Sequence, residues 1–236
     1  MTMDKSGNTP LLSCLPHAPW NVLEQLTPIQ LHSLNRIGMS YRLDKGDFVF
    51  HTGENADCVY FLKTGKIKVS HPVSNGKEVT LWFCFGGDIF GLAEAAQNGE
   101  REVNARACEK SEILRISRDN FNGYLFDQPQ VMFLLLQVIS SRLRCLSETL
   151  ANVAGEQVQT RFARLIVWLC TRYGSNDGDS ISINVHLTHQ EIAEMIGSTR
   201  QTITSIMSDF KEKGILATNG HYIQIMDRSL LGSLLH

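Results

Sequence analysis

The stretch His189–Phe210 reads HQEIAEMIGSTRQTITSIMSDF. It spells two short amphipathic helices around a tight turn. Thr188 can cap the first helix, with Glu191 three residues on, as in a capping box. Ile192, Ala193 and Ile196 give that helix its apolar face, and Gly197 with Ser198 breaks it. Thr199 opens a second helix whose apolar side is Ile203, Ile206, Met207 and Phe210. Its first turn presents Arg200, Gln201 and Thr202, followed by Thr204 and Ser205. This is how a helix-turn-helix reader is built: a packed helix positions a second one whose polar N-terminal face enters a DNA major groove. Arginine and glutamine there match guanine and adenine edges. An ordinary helical hairpin shares this pattern, so the neighbouring sequence decides.

Downstream, Lys213-Gly214 ends the reader. Ile215–Thr218 and Tyr222–Ile225 flank Asn219-Gly220, a dipeptide suited to a tight hairpin turn. That hairpin is the wing of a winged helix. Arg228–Leu235 closes as a short helix or tail. Upstream, Ser180–Val185 reads as a strand and Gly174–Gly178 as a loop. Glu156–Tyr173 reads as a helix with Phe162, Leu165, Ile166 and Leu169 as its core stripe.

The N-terminal half has a different texture. Thr27-Pro28 starts a helix to Ile37, after a leader with a short helix over Trp20–Leu26. From Met39, short apolar runs alternate with glycine turns: Tyr41–Leu43, Asp47–Phe50, Cys58–Leu62, Lys66–Ser70, Val79–Phe85, Asp88–Leu92, Val103–Ala107 and Ser111–Ser117. Asn75-Gly76 is a hairpin signal. This series of short strands predicts a double-sheet jelly roll. Arg118–Leu125 is a short helix, and Pro129 precedes a long one. On that helix Met132, Leu136, Ile139, Leu143, Leu146, Leu150 and Val153 recur at alternating steps of four and three. That heptad seam favours a coiled-coil homodimer. Leu134, Leu135 and Val138 widen the stripe, so part of the helix can also pack on the roll. Asn152–Gly155 reads as a hinge.

The fold class is therefore α+β. A leader (1–26) is followed by a double-stranded β-helix, or jelly roll (27–128), which the resemblance given below makes an effector or sensor domain. A dimerisation helix and hinge (129–155) leads to a winged helix-turn-helix (156–236). The formal net charge of −2 excludes a non-specific basic DNA coat, but not a sequence-specific reader. No apolar run approaches a membrane span and no secretory signal is evident, so the expected compartment is the cytoplasm. The cysteines Cys14, Cys58, Cys84, Cys108, Cys145 and Cys170 form no CxxC pair, which argues against a disulfide scaffold or a local zinc site. No Glu/His metal set, nucleophile elbow or P-loop points to an enzyme.

KGDFVFHTGENADCVYFLKTGKIKV, the GGDIFG turn, the seam helix and IGSTRQTITSIMSDFKEKGIL, in that order, resemble the cyclic-AMP receptor protein/FNR superfamily of bacterial transcription regulators over about residues 20–230. The resemblance implies a homodimer on a pseudo-palindromic operator in double-stranded DNA, with an effector at the roll that reorients the DNA-binding domains. RNA polymerase is a candidate partner, and activation and repression both stay open. It places base contacts at Arg200, Gln201 and Ser205. Phosphate contacts fall to Ser198, Thr199, Thr202 and Thr204, and Thr188 can offer its helix terminus. The effector pocket would involve Gly91, Leu92, Arg101, Glu102, Leu146 and Ser147.

Where the cyclic-AMP-binding branch has glutamate after the glycine, this chain has Leu92. Where that branch has serine after the arginine, this chain has Glu102, and its threonine-serine pair appears as Leu146-Ser147. Leucine cannot accept ribose hydroxyls, and a carboxylate repels a phosphate, so cyclic AMP is disfavoured. The iron–sulfur branch needs a leader cysteine cluster; only Cys14 stands there, with Cys108 in the roll, so a cluster is disfavoured too. Haem stays open with His17, His51 and His71 as candidate ligands, and any metal is unassigned. Redox sensing through Cys14 or Cys108, and activity without a ligand, also stay open.

Overall fold

The computed structural model describes residues 21–73, 78–177, 180–220 and 222–235, and within them the side chains of 145, 148, 149, 151–154 and 177 are not described. Cys14, His17, the Asn75-Gly76 turn, and the side chains of Cys145 and Val153 lie outside the described residues.

Helix α1 (Val22–Gln25) and helix α2 (Pro28–Ile37) precede the roll. The start of α2 follows from its sequence. Thr27 Oγ1 accepts from the Gln30 amide at 3.3 Å, and Gln30 Oε1 accepts from the Thr27 amide at 2.9 Å, while Pro28 needs no partner at the first position. The roll strands are β1 (Met39–Leu43), β2 (Phe48–Phe50), β3 (Cys58–Thr64), β4 (Lys66–Pro72), β5 (Glu78–Phe85), β6 (Ile89–Phe90), β7 (Asn104–Ala107) and β8 (Ser111–Ser117). Helix α3 (Leu92–Gln97) interrupts them. They form two four-stranded sheets, ordered β1-β8-β3-β6 and β2-β7-β4-β5, with antiparallel pairing throughout.

Strand β3 explains why the roll has two cores. Side chains alternate across a strand, and here both faces are covered. Tyr60 and Leu62 join Phe50, Ile67, Val69, Cys84, Phe90 and Ile113 in one buried cluster. Val59 and Phe61 join Leu34, Leu114, Ile116, Phe121 and Tyr124 in another, beneath the helices. Helix α4 (Arg118–Asp127) supplies Phe121 and Tyr124, and helix α5 (Pro129–Gly155) supplies Val131, Leu135 and Val138.

The chain divides into two compact units, and the division falls between Leu143 and Arg144 within α5. The second unit contains helix α6 (Val158–Tyr173), β9 (Gly174–Asp177), β10 (Ser180–Ile183), helix α7 (His189–Ile196), helix α8 (Arg200–Glu212), β11 (Leu216–Asn219), β12 (Tyr222–Ile225) and helix α9 (Arg228–Ser233). Its sheet runs β11-β12-β10-β9. Phe162 of α6 and Phe210 of α8 meet edge to face at 5.4 Å, and both are fully buried.

Four expectations are corrected. Residues 174–177 are not a loop but edge strand β9, pairing Gly174 with Ile183. A Cβ at Gly174 would collide with the Cys170 carbonyl, so glycine is what lets the chain leave α6 directly into the sheet. The strand expected to reach Leu92 ends at Phe90. Gly91, at φ 70°, turns the chain into α3, whose Leu-Ala-Glu-Ala-Ala-Gln sequence favours helix. Residues 152–155, read as a hinge, are the end of α5, which runs through Gly155, and the helix breaks at Glu156–Gln157. Ile206, assigned to the apolar side of α8, is only half-buried.

Candidate nucleic-acid interface

Helix α7 begins with the expected capping box: the Glu191 amide donates to Thr188 Oγ1 at 3.2 Å, and the Thr188 amide donates to Glu191 Oε2 at 2.7 Å. Ile192, Ala193 and Ile196 are buried, and Gly197 ends the helix in the left-handed region at φ 65°. Thr199 caps α8, accepting from the Thr202 amide at 3.2 Å. Ile203, Met207 and Phe210 anchor α8 in the core. The opposite face exposes Arg200, Gln201, Thr204, Ser205 and Ser208, which together line a shallow open groove.

The structure thus brings the three expected base-contact residues, Arg200, Gln201 and Ser205, onto one exposed face. The hydroxyl groups are more committed than the sequence suggests. Thr188 Oγ1 also donates to Glu191 Oε2 at 3.0 Å. Thr199 and Thr202 share a hydroxyl–hydroxyl bond at 2.9 Å, and Thr204 Oγ1 donates to the Arg200 carbonyl at 2.9 Å. Thr188 and Thr204 spend their hydroxyl hydrogens in these bonds, so a phosphate, which only accepts, is met there by a backbone amide or by a hydroxyl that turns away from its internal partner; of the Thr199–Thr202 pair, one hydroxyl keeps its hydrogen to donate. Ser198, half-buried in the turn, donates its amide to the Ala193 carbonyl at 2.9 Å.

Sequence reasoning missed two members of this face. Ser208 sits two turns beyond Arg200, and helical spacing alone would have found it. His189 Nδ1 lies 2.9 Å from Thr204 Oγ1, tying α7 to α8. A helix-first histidine has no sequence signal for such a bond.

In the roll, Arg101 is fully buried. Its Nη1 donates to the Gly91 carbonyl at 2.7 Å and lies 3.4 Å from Glu94 Oε2. Its Nη2 donates to the Cys58 carbonyl at 2.5 Å. The guanidinium stands 4.2 Å over the Phe50 ring, within the Phe50–Tyr60–Phe90 aromatic group. Among the described residues its buried Nε has no hydrogen-bond partner.

The pocket expected from the sequence is only partly assembled. Gly91 and Arg101 meet. Leu92 packs against the helix-side core, and Glu102 is exposed on an open surface depression that Arg101 also lines, with Thr52, Gly53, His71 and Glu100. Leu146 and Ser147 are exposed on α5 in the second unit.

His51 stacks on Phe48 at 4.0 Å. Among the described residues no group of three or more His, Cys, Asp or Glu side chains could hold a metal. Cys58 and Cys84 are buried, and Cys108 and Cys170 are half-buried; none of these four forms a disulfide. Burial pushes the Cys58 thiol upward and the Cys170 thiol up to about 12. Among the described residues no helix is long and apolar enough to cross a membrane.

Comparison with known proteins agrees with this division. Residues 41–128 match the model of the cyclic nucleotide-binding domain, and residues 160–234 match that of the Crp-like helix-turn-helix domain. The chain is 30% identical over 176 residues to the global nitrogen regulator of Synechocystis sp., covering 74% of this chain and 78% of that protein. It is 26% identical over 210 residues to the CRP-like cAMP-activated global transcriptional regulator of Mycobacterium tuberculosis, covering 89% and 94%. Among solved structures, a CooA mutant from Carboxydothermus hydrogenoformans aligns with a TM-score of 0.75 at 23% identity, over 94% of this chain and 98% of that one.

Proposed function

Because the chain belongs to the cyclic-AMP receptor protein/FNR family of transcription regulators, we propose that it acts as a homodimer on a pseudo-palindromic operator, under an effector other than cyclic AMP. The observation that carries the DNA reading is the exposed face of α8, where Arg200, Gln201, Thr204, Ser205 and Ser208 line one groove on a helix capped at its start. Arg200 reads guanine through O6 and N7, and Gln201 reads an adenine edge or an altered C·G pair. Ser205 reaches a base, while Thr188, Ser198, Thr199, Thr202 and Thr204 position phosphates. RNA polymerase is the partner through which a bound dimer would act.

The dimer reading rests on α5. Met132, Leu136, Ile139, Leu143, Leu146 and Leu150 are exposed large hydrophobics in heptad register, while Val131, Leu135 and Val138 serve the chain's own core. A second copy presenting the same seam is the occupant that a heptad selects.

The effector reading rests on Arg101 and Leu92. The Arg101 guanidinium is already taken up by Glu94, two backbone carbonyls and an aromatic face, and Leu92 is turned to the helix-side core. Neither supports a cyclic nucleotide in the roll. The internal partners of Arg101 also favour a second reading, a regulator active without a small ligand.

Binding selection over a randomised palindromic operator at fixed salt tests the DNA roles. R200A should lose about 1–3 kcal/mol of discrimination at one guanine per half-site. Q201E should change the preference at one symmetric pair of positions. An unchanged base profile in both variants would place the recognition surface elsewhere.

A further inference from the structure

The two-residue break between α5 and α6 is tied to the helix-turn-helix through the Arg161 side chain. Arg161, on the first turn of α6, donates from Nη1 to the Glu156 carbonyl at 2.8 Å. From Nε it donates to the Ile196 carbonyl at 3.1 Å, and from Nη2 to the Gly197 carbonyl at 3.3 Å. Glu156 is also held by its carboxylate. Arg164 Nε donates to both carboxylate oxygens at 3.1 Å, and Arg164 Nη2 donates to Oε1 at 2.8 Å.

The two distant acceptors are the last residue of α7 and its left-handed cap. Carbonyls at a helix C-terminus lack partners within the helix and carry the negative end of its dipole. A guanidinium answers both with charge-assisted bonds. Gly197 also begins the short turn that ends at Thr199, the cap of α8. The amides of Gly197 and Ser198 both return to the Ala193 carbonyl. The turn is therefore fixed to α7 by its backbone and to α6 by Arg161.

We infer that Arg161 is a positioning residue for DNA reading, coupling the Glu156–Gln157 linker to the turn that aims the recognition helix. The inference rests on α8 being that helix. A guanidinium is a planar fork with fixed donor directions. A movement that carries the Glu156 carbonyl away must break the bond to Arg161 or draw the Ile196 and Gly197 carbonyls after it. Arg161 itself is half-buried and acts without touching DNA.

The full chain carries the test, as R161Q, R161K and E156Q. In R161Q, the amides of residues 197–200 should exchange hydrogen about tenfold faster or more. Those of residues 166–169, in the buried centre of α6, should keep their protection. Affinity for the operator selected by the wild type should fall about ten- to a hundredfold at fixed salt. The base profile and the slope of log affinity against log salt should stay as they were. R161K, with a point charge in place of a fork, should fall between, and it carries the same comparison if R161Q does not fold. E156Q keeps the carbonyl but weakens the clamp from Arg164, so it should shift exchange the same way by less. Wild-type exchange at residues 197–200 in R161Q and R161K overturns the proposal, and this readout needs no DNA. A salt slope smaller by about one overturns it as well, because Arg161 would then be a phosphate contact. Equal acceleration throughout α6 overturns it in favour of a general fold defect.

Discussion

Arg101 concentrates the effector question in one side chain. A buried charge is tolerated only when paired and hydrogen-bonded, and the Arg101 side chain is 1% exposed. Glu94, the Gly91 and Cys58 carbonyls and the Phe50 ring meet most of that need from within the chain, leaving only Nε without a partner among the described residues. A phosphate approaching Arg101 from the surface depression would compete with Glu94 and meet the carboxylates of Glu100 and Glu102. Calorimetry should therefore show no specific cyclic AMP binding at micromolar nucleotide. Micromolar affinity with tighter operator binding would show that the roll opens. Removing the internal anion should cost stability: E94Q should unfold at lower denaturant, by about 1–3 kcal/mol. An unchanged midpoint would mean that the two carbonyls suffice. The cysteines separate in the same physical way. With its thiol pushed up to about 12, Cys170 is neutral near neutral pH, and the thiolate is the nucleophile. Alkylation at about pH 8 should reach Cys108 before Cys58, Cys84 or Cys170, as peptide mass spectrometry can show. Labelling of Cys170 first would contradict its environment.

Helix α5 carries two apolar stripes offset by one residue, and each has its own task. Val131, Leu135 and Val138 are buried in the roll's helix-side core. One residue further along, Leu136, Leu143 and Leu150 are 58%, 65% and 75% exposed. L143D places a charge at the centre of the seam, where burial against a second copy would cost several kcal/mol, on the order of 2–5. Sedimentation should show a weakened dimer with the monomer still folded. A dimer as tight as the wild type would move the interface off this seam. The seam was legible because a strict periodicity survives any tertiary context, and so were α2, α7 and α8, whose caps are local chemistry. What escaped depends on pairing at a distance. Strand β9 is Gly-Ser-Asn-Asp, a loop by propensity, and only β10 beside it makes it a strand. The end of α5 at Gly155, rather than earlier, was likewise beyond composition. In the candidate site, Arg200, Gln201 and Ser205 were readable from spacing, whereas His189 and Arg161 act through bonds to residues far along the chain. The Arg101–Gly91 contact followed from the family likeness, but its neutralisation by Glu94 did not.

The chain as a whole carries a formal net charge of −2, so its affinity for DNA cannot come from a general electrostatic coat. On the proposed homodimeric reading it comes from geometry: two copies of one short polar helix face, presented at a spacing that two half-sites share. Recognition helices of such dimers reach successive major grooves about 34 Å apart, close to one turn of the duplex. Inserting about 5 base pairs at the centre of the selected operator turns the second half-site by roughly half a helical turn, onto the opposite side of the duplex. One recognition helix can then no longer bind together with the other. Affinity should fall to that of an isolated half-site, because the link between subunits that made the second contact effectively intramolecular no longer helps. The same insertion should leave L143D nearly unaffected, since a monomer never used the second half-site. Gel-shift titrations of both proteins on both operators, at one salt concentration, make the comparison. Equal binding of the native chain to the two operators would mean that each subunit reads DNA alone, and the homodimeric reading would fall.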